Sequence, residues 1–450
     1  MKADANLNDV VLEDNRQMTG PEAGMRIKRL LKAKKVGERT EHSDMIQVQY
    51  STDDLGQENR GHTCKFNPAF IYNSYNTFME GLAAQEMEEE ASSEVGASSQ
   101  QGEAGQRLWE TTTFNFDTTA SNTGIHSGAA IRLNYLFNRP VLYLACRHHV
   151  FDLLAKNTFH KLVGYDPSPD VAMFKKMKDL WPDIDTQGTF MVFDLDNKAK
   201  LVQLFTNFLT KYNANGELFV REDYRELCEL ALVLIGGELP NGKVMRFKAP
   251  GAAHKARFMA FALCALKILA FSHLKEVKDK CFSRKVRKEL IFEEQTLQNL
   301  WRWGHYAIQF YVPSFLLATL GRDAPSNDLN LFKSTIQYRN IDPEVADSAL
   351  DTLARHKWYL VGQVIPFSLF SDNVTEDEKS RIAAKLLATE REESVSLGLP
   401  AYPVVTEQTE LWDLVTPQTW QFFDIVKSDP VWLTQNVSEW DSHPDYRQVI

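Results

Sequence analysis

The sequence predicts an α/β core, built on one parallel β-α-β unit, with a large and predominantly α-helical remainder. Two short segments, 111–116 and 141–146, have the composition of β-strands and enclose a helical pattern. From about residue 170 onward, apolar residues recur at helical spacing. The chain has 450 residues, more than one ordinary domain, and its hydrophobic fraction of 44% is that of a folded globular protein.

The N-terminal part of the chain is predicted to contribute little regular structure. Residues 1–84 are expected to form a partly disordered region with a basic helix at 26–35 and a strand at 45–50. Residues 85–107 are rich in glutamate and nearly free of large apolar side chains, so they cannot bury enough surface to offset the entropy cost of ordering. We interpret residues 85–107 as an acidic low-complexity linker.

The α/β core is predicted within residues 108–170. Its first strand, TTTFNF, is followed by Asp117, a loop of helix-capping residues and a helix at 128–137. Its second strand, VLYLAC, is apolar on both faces, which is typical of a central strand in a covered parallel sheet. A short helical connection favours a right-handed parallel crossover, so the two strands should lie side by side. Another helix is expected at 148–162.

Two regions make up the helical remainder. Residues 171–300 are predicted to form a helical, insertion-like region with a basic stretch, and residues 301–450 a C-terminal helical region. The helical patterns lie at 200–211, 221–235, 255–273, 289–319 and 380–387. The most apolar stretch, 258–271, is too short to span a bilayer and contains Lys267, so we expect a buried helix and no membrane partner.

The fourth of these helical patterns carries a stripe of aromatic residues. The stripe could stack nucleic-acid bases, but helical spacing in an apolar helix favours burial in the core. Its members are Trp301, Trp303, Tyr306, Phe310 and Tyr311.

Several classes of function have no support in the sequence. It contains no P-loop, no glycine-rich dinucleotide turn and no Gly-x-Ser-x-Gly elbow. The five cysteines are scattered and form no Cys-x-x-Cys pair, which favours a reducing compartment over a disulfide framework. Because no apolar signal segment follows Met1, we expect an intracellular location, with the nucleus as one option.

A polar cluster follows each predicted strand of the core. Asp117 follows the first strand, where a carboxylate can bind a metal, although a turn or helix-capping role is more common there. Cys146 ends the second strand, and His148 and His149 lie just past it. A cysteine and a histidine three residues apart could hold one edge of a zinc site. No second ligand pair accompanies them, so a buried thiol and a hydrogen-bonded imidazole are the simpler interpretation.

These clusters, FDTTASNTG and then CRHH, resemble the part of hAT-type DNA transposases where the second catalytic aspartate precedes a Cys-x-x-His element. Together with DYRELCELALVLIGG and RFKAPGAAHKARFM, they resemble transposon-derived proteins of invertebrate genomes over roughly residues 108–390. The resemblance implies a ribonuclease H-like core, here partial, interrupted by a large helical insertion. It maps Asp117 onto the second metal-binding carboxylate, and Cys146 with His149 onto the Cys-x-x-His pair, with His148 as an alternative register.

The resemblance also implies three carboxylates that hold two divalent metal ions for phosphodiester transfer. Asp53 and Asp54 are weak stand-ins for the first carboxylate, and segment 356–372, where the third belongs, contains Gln363 and no glutamate. Asp117 is thus a vestigial catalytic candidate, and one carboxylate cannot hold a metal pair. We therefore expect no cofactor, with Mg²⁺ or Mn²⁺ required only in an active transposase.

A basic stretch runs from Lys243 to Lys288 and contains thirteen lysines or arginines against two acidic residues, in a chain of net charge -10. It could bind the phosphate backbone of DNA, or it could simply solvate helix faces. The candidate contacts past the apolar helix are Lys275, Lys278, Arg284, Lys285, Arg287 and Lys288. His254 and Arg257 could meet a phosphate or a base, or could be polar residues at a helix start.

The sequence as a whole favours a transposon-derived protein without catalytic activity that retains at most weak nucleic-acid binding. DNA is the candidate partner, and oligomerisation stays open. The alternatives are an active metal-dependent DNA transposase and a protein-interaction scaffold.

Overall fold

The computed structural model divides the chain into two compact units. Unit 1 comprises residues 1–146, 358–403 and 410–450, and unit 2 comprises residues 147–357 and 404–409. The structure describes residues 46–50, 63–66, 111–116, 118, 141–164, 171–214, 222–251, 259–286, 289–318, 321–391 and 401–449. The helices predicted at 26–35 and 128–137, and the linker predicted at 85–107, lie outside these ranges.

Unit 1 contains a four-stranded mixed sheet in the order β2-β1-β3-β4. Its strands are β1 (Ile46–Tyr50), β2 (Thr63–Phe66), β3 (Thr111–Phe116) and β4 (Leu142–Ala145). Strand β1 pairs antiparallel with β2 and β3, whereas β3 and β4 are parallel, with Phe116 opposite Ala145. The parallel pairing predicted for the strands that precede Asp117 and Cys146 is therefore confirmed.

Strand β4 is buried on both faces. Leu142 and Tyr143, which point to opposite faces of a strand, are 1% and 2% exposed. This burial explains why the strand has no alternation of apolar and polar residues.

Unit 2 is mainly helical. Its α-helices are α1 (Arg147–Val163), α2 (Ala172–Leu180), α3 (Lys198–Ala214), α4 (Glu222–Leu234), α5 (Ala260–Ala270), α6 (Lys275–Cys281), α7 (Glu294–Tyr306), α8 (Val312–Leu317), α9 (Ala324–Tyr338) and α10 (Pro343–Leu353). The large helical remainder predicted from the sequence is thus present. No helix in the described part of the chain is long and apolar enough to cross a membrane.

The helix predicted at 289–319 is wrong at its start. Residues Glu289–Phe292 form strand β6, which pairs antiparallel with β5 (Ser283–Val286) in a hairpin. At the open end of the hairpin, the Glu293 amide extends the pairing by donating to the Phe282 carbonyl at 2.7 Å. The run Leu-Ile-Phe suits a strand as well as a helix, so the cross-strand hydrogen bonds decide its structure.

Beyond the hairpin, the helical path continues from α7 to α8 through a π-helical turn at Ala307–Tyr311. Pro313 follows this turn and cannot donate the hydrogen bond that an α-helix would require, which explains the local widening. Trp303, Tyr306 and Tyr311 are all buried, so the interpretation of the aromatic stripe as core is confirmed for them.

The remainder of unit 1 consists of short helices around an aromatic cluster. A 3₁₀ helix at Gly362–Phe370 precedes α11 (Glu376–Leu387), α12 (Trp420–Val426) and α13 (Pro444–Val449). The ring of the fully buried Trp432 lies 4.8 Å from Trp440, 4.9 Å from Tyr446 and 5.7 Å from Phe370. Through these contacts, the C-terminal residues pack against the 3₁₀ helix.

We predict that Trp432→Ala lowers the free energy of unfolding of unit 1 by about 3–5 kcal/mol, because it opens a cavity in this cluster. Trp432→Phe should cost less than about 1.5 kcal/mol, since a ring remains and the indole N–H has no hydrogen-bond partner among the described residues. Urea-dependent hydrogen exchange of residues 358–403 and 410–449 reports on unit 1 directly. Equal costs for the two variants would contradict this assignment of the core.

Candidate functional site

The carboxyl ends of β3 and β4 lie level with each other in unit 1. The Cys146 amide donates to the Phe116 carbonyl at 2.7 Å, immediately before the position of Asp117. Asp117 itself, like Asp53 and Asp54, lies outside the described residues. Among the residues that the structure does describe, no three His, Cys, Asp or Glu side chains are grouped to hold a metal ion.

The segment where the family resemblance places the third carboxylate packs against these strand ends. Trp358 is 4% exposed and meets Phe116 edge to face, with ring centroids 5.4 Å apart. The Tyr359 hydroxyl donates to the Ala145 carbonyl at 3.0 Å. The side chains that this segment brings to the strand ends are therefore aromatic rings.

Gln363, which stands in the segment where the resemblance implies a glutamate, has a structural contact. It is 6% exposed, and its Nε2 donates to Oε1 of Gln421 in α12 at 2.6 Å. A buried amide that is hydrogen-bonded in this way fixes the 3₁₀ helix to α12.

Arg147, the second residue of the CRHH motif, is a buried anchor that sequence reasoning missed. It begins α1 and is 4% exposed. Its Nε donates to Oδ1 of Asp328 in α9 at 3.0 Å, and its Nη1 donates to the Leu317 carbonyl at 3.1 Å. Burial raises the pKa of Asp328, and the charge and hydrogen bond of Arg147 oppose that shift. The two residues are 181 positions apart, and no sequence pattern links them.

The two histidines of the motif are held by contacts within unit 2. The His148 ring lies 4.5 Å from the Phe315 ring and 5.1 Å from the Tyr224 ring. His149 lies near His356: burial first, and then the charges of His149 and Arg355, lower the pKa of His356 to about 4. Both histidines are half-buried, and Cys146 is partly exposed at the end of β4 in unit 1.

Among its described residues, the basic stretch does not form one continuous charged surface. Lys267 is 2.6 Å from Glu226 in the interior, and Lys243 is 2.8 Å from Glu229. Arg284 is paired with Glu293 at 2.9 Å. The side chain of Lys285, and all of Arg287, Lys288, His254 and Arg257, lie outside the described residues. Of the predicted candidates, Lys275 and Lys278 lie together on α6.

Helix α6 packs against α2, which brings lysines from two distant parts of the chain together. Cys281 at the end of α6 lies against the start of α2, with its Sγ 3.9 Å from the Met173 carbonyl. Burial raises the pKa of the Cys281 thiol to about 12, and the charges of Lys176 on α2 and Lys280 on α6 oppose this shift. Lys176 and Lys280 are therefore both near Cys281.

We call the lysines of α2 and α6 the basic face. Its members are Lys175, Lys176, Lys178, Lys275, Lys278 and Lys280, all exposed or half-buried. Asp179, Glu276 and Asp279 lie on the same two helices, yet none of the six lysines forms an ion pair with another described residue. Sequence reasoning missed the α2 half because a window along the chain cannot show that two helices pack together.

Comparison with protein-family models, with curated proteins and with solved structures gives no significant match to this chain. The functional assignment therefore depends on the residues and contacts of this chain.

We predict that Arg147→Met destabilises unit 2 by about 3 kcal/mol, because it leaves the largely buried Asp328 carboxylate without its partner. The double variant Arg147→Met/Asp328→Leu should recover at least half of this loss, since no unpaired charge remains. Arg339→Met serves as the control, because Arg339 pairs with Asp347 on the surface and should cost less than about 1 kcal/mol. Urea denaturation with hydrogen exchange of residues 147–357 measures all three. A double variant less stable than Arg147→Met would contradict the account.

Proposed function

We propose that this chain is a transposon-derived protein that has lost strand-transfer chemistry and binds nucleic acid through the basic face. The observation that carries the proposal is the basic face itself: six lysines from two adjacent helices, without ion pairs among the described residues. The six lysines stand against three carboxylates on the same two helices, in a chain of net charge -10.

The chemistry of the basic face suits the phosphate backbone better than base edges. Lysine ammonium groups on flexible stems act as point charges, and each phosphate that they neutralise releases condensed counterions. The three carboxylates on α2 and α6 limit the strength of this attraction. We therefore expect weak, sequence-tolerant binding that depends strongly on salt. If DNA is the partner, a nuclear location follows.

The loss of chemistry is supported by what occupies the strand ends of unit 1. Asp117 is the one carboxylate that the family resemblance assigns, and Trp358 and Tyr359 pack where a partner carboxylate would be expected. Gln363 is hydrogen-bonded to Gln421. One carboxylate does not hold the pair of metal ions that phosphodiester transfer requires.

The proposed ancestry also has a topological argument. Unit 2 takes up the continuous stretch 147–357, between β4 and the segment that packs on the ends of β3 and β4. This order agrees with a partial ribonuclease H-like core interrupted by a helical insertion, which the family resemblance implies. We propose that the helical insertion interrupts the core at residue 147.

We predict that charge reversal of Lys175, Lys178, Lys275 and Lys280 to glutamate weakens binding to duplex DNA and lowers its dependence on salt. Fluorescence anisotropy at several salt concentrations measures affinity, and the log–log salt slope should fall by about 0.9 for each phosphate that the variant no longer neutralises. All sequences should be affected alike, because backbone contacts carry no sequence information.

The control is a variant with the same net charge and the same number of reversals elsewhere. Lys200, Arg355, Lys385 and Lys427 are exposed and lie outside the basic face. If both variants lose affinity equally, the general charge of the protein and not the basic face controls binding. If the unmodified chain does not bind DNA at low salt, the proposal fails and the protein-interaction scaffold takes its place.

We predict no Mg²⁺-dependent or Mn²⁺-dependent nicking of supercoiled duplex DNA by the purified chain. Asp117→Asn should change the free energy of unfolding by less than about 2 kcal/mol, the upper range for loss of a cap. A gel-based nicking assay, with a deoxyribonuclease as positive control, checks the first expectation. Metal-dependent cleavage that disappears in Asp117→Asn would establish the active transposase instead.

A further inference from the structure

Unit 2 contains an open pocket of about 300 Å³ that the proposed phosphate contacts do not use. It lies between the loop that follows α2 and the extended segment that follows α4. Side chains that line it include Gln187, Phe190, Glu238, Lys243, Val244 and Phe247.

Two aromatic rings form part of the pocket wall. Phe190 and Phe247 meet at 5.4 Å with an interplanar angle of 61°. Phe247 is buried and Phe190 is half-buried, so part of the Phe190 ring is accessible from the pocket. Apolar and aromatic walls with a few polar groups are typical of small-ligand sites, and this volume is at the lower end of their range.

The polar groups of the pocket suit a neutral ring better than a phosphate. The amide of Gln187 can donate and accept hydrogen bonds, and the carboxylate of Glu238 can accept them. Lys243 is the only cation among the lining residues, and its ammonium is held 2.8 Å from Glu229. A flat heteroaromatic ring with donors and acceptors on its edge matches this combination.

A row of aromatic contacts connects the pocket to the basic face. The Phe247 ring lies 5.0 Å from the Phe271 ring, which lies 5.7 Å from the Trp181 ring. Trp181 directly follows α2, and Phe271 lies shortly before α6. The pocket is therefore near the Lys178 and Lys275 end of the basic face.

We infer that this pocket binds a single unpaired nucleobase of a DNA strand whose phosphates contact the basic face. The inference rests on the proposed function and adds a stacking site to it. Aromatic stacking is tolerant of base identity because every base has a π-face, so the site would recognise an unpaired base and not a sequence. The same chemistry would accept the base of a free nucleotide, which the experiment must separate.

The experiment compares three labelled duplexes that differ at one position: fully paired, with one bulged adenosine nucleotide, or with one bulged abasic nucleotide. We expect the bulged base to bind about tenfold more tightly than the abasic bulge, which corresponds to one stacking contact. The abasic duplex controls for bending at the bulge. Adenosine monophosphate should compete only at much higher concentration, because it lacks the neighbouring phosphates.

Variants of Phe190 connect this preference to the pocket. Phe190→Leu should abolish the preference for the bulged base, and Phe190→Tyr should keep it, because only tyrosine retains an aromatic ring. Neither variant should alter the affinity for the fully paired duplex, since Phe190 is not part of the basic face.

The outcomes separate this inference from the proposed function. Equal binding of the bulged and abasic duplexes overturns the pocket assignment and leaves the basic face intact. Tight binding of free adenosine monophosphate without a preference among the duplexes assigns the pocket to a free nucleotide and overturns the strand assignment. If neither the duplexes nor the nucleotide binds, both the inference and the proposed function are overturned.

Discussion

Unit 2 depends on the complete burial of helix α5. All eleven of its residues are buried, and helices α1, α2, α4 and α7 pack around it. Burial of Lys267 in this helix would cost several kcal/mol without a partner. Glu226 lies 2.6 Å from its ammonium, and the Trp181 ring lies 5.9 Å away. Because Lys267 is ion-paired with Glu226, this otherwise apolar helix can occupy the centre of unit 2.

The proposed function is a consequence of how the unit covers this central helix. Phe174 and Met177 of α2 are buried, as are Val277 and Cys281 of α6. A helix that buries one face must direct its charged residues to the other, because unpaired charges are expensive to bury. Since α2 and α6 are neighbours, their lysines emerge together and form the basic face.

Local sequence patterns were sufficient where a structure depends on neighbours in the chain. The composition of TTTFNF and VLYLAC predicted two strands, and the short connection between them predicted their parallel pairing. Helical spacing predicted that Trp303 and Tyr306 are buried. The hairpin formed by β5 and β6 was not predicted, because its strands are short and the apolar run in β6 fits a helix equally well.

Contacts between distant residues could not be predicted from one sequence. The Arg147–Asp328 pair joins residues 181 positions apart, and the basic face joins α2 to α6. The number of cations in the basic stretch overestimates the charge available for binding, because Lys267 is buried with Glu226 and Lys243 is paired with Glu229. Ion pairing depends on which residues pack together, and amino-acid composition gives no information on that.

The central claim is that nucleic acid contacts α2 and α6 of unit 2 and not the strand ends of unit 1. Photochemical cross-linking of the full chain to duplex DNA that carries photoreactive groups, followed by mass spectrometry, locates the contacts directly. The account predicts adducts concentrated in residues 172–181 and 275–286. Adducts concentrated in residues 141–146 and 358–370 would contradict it.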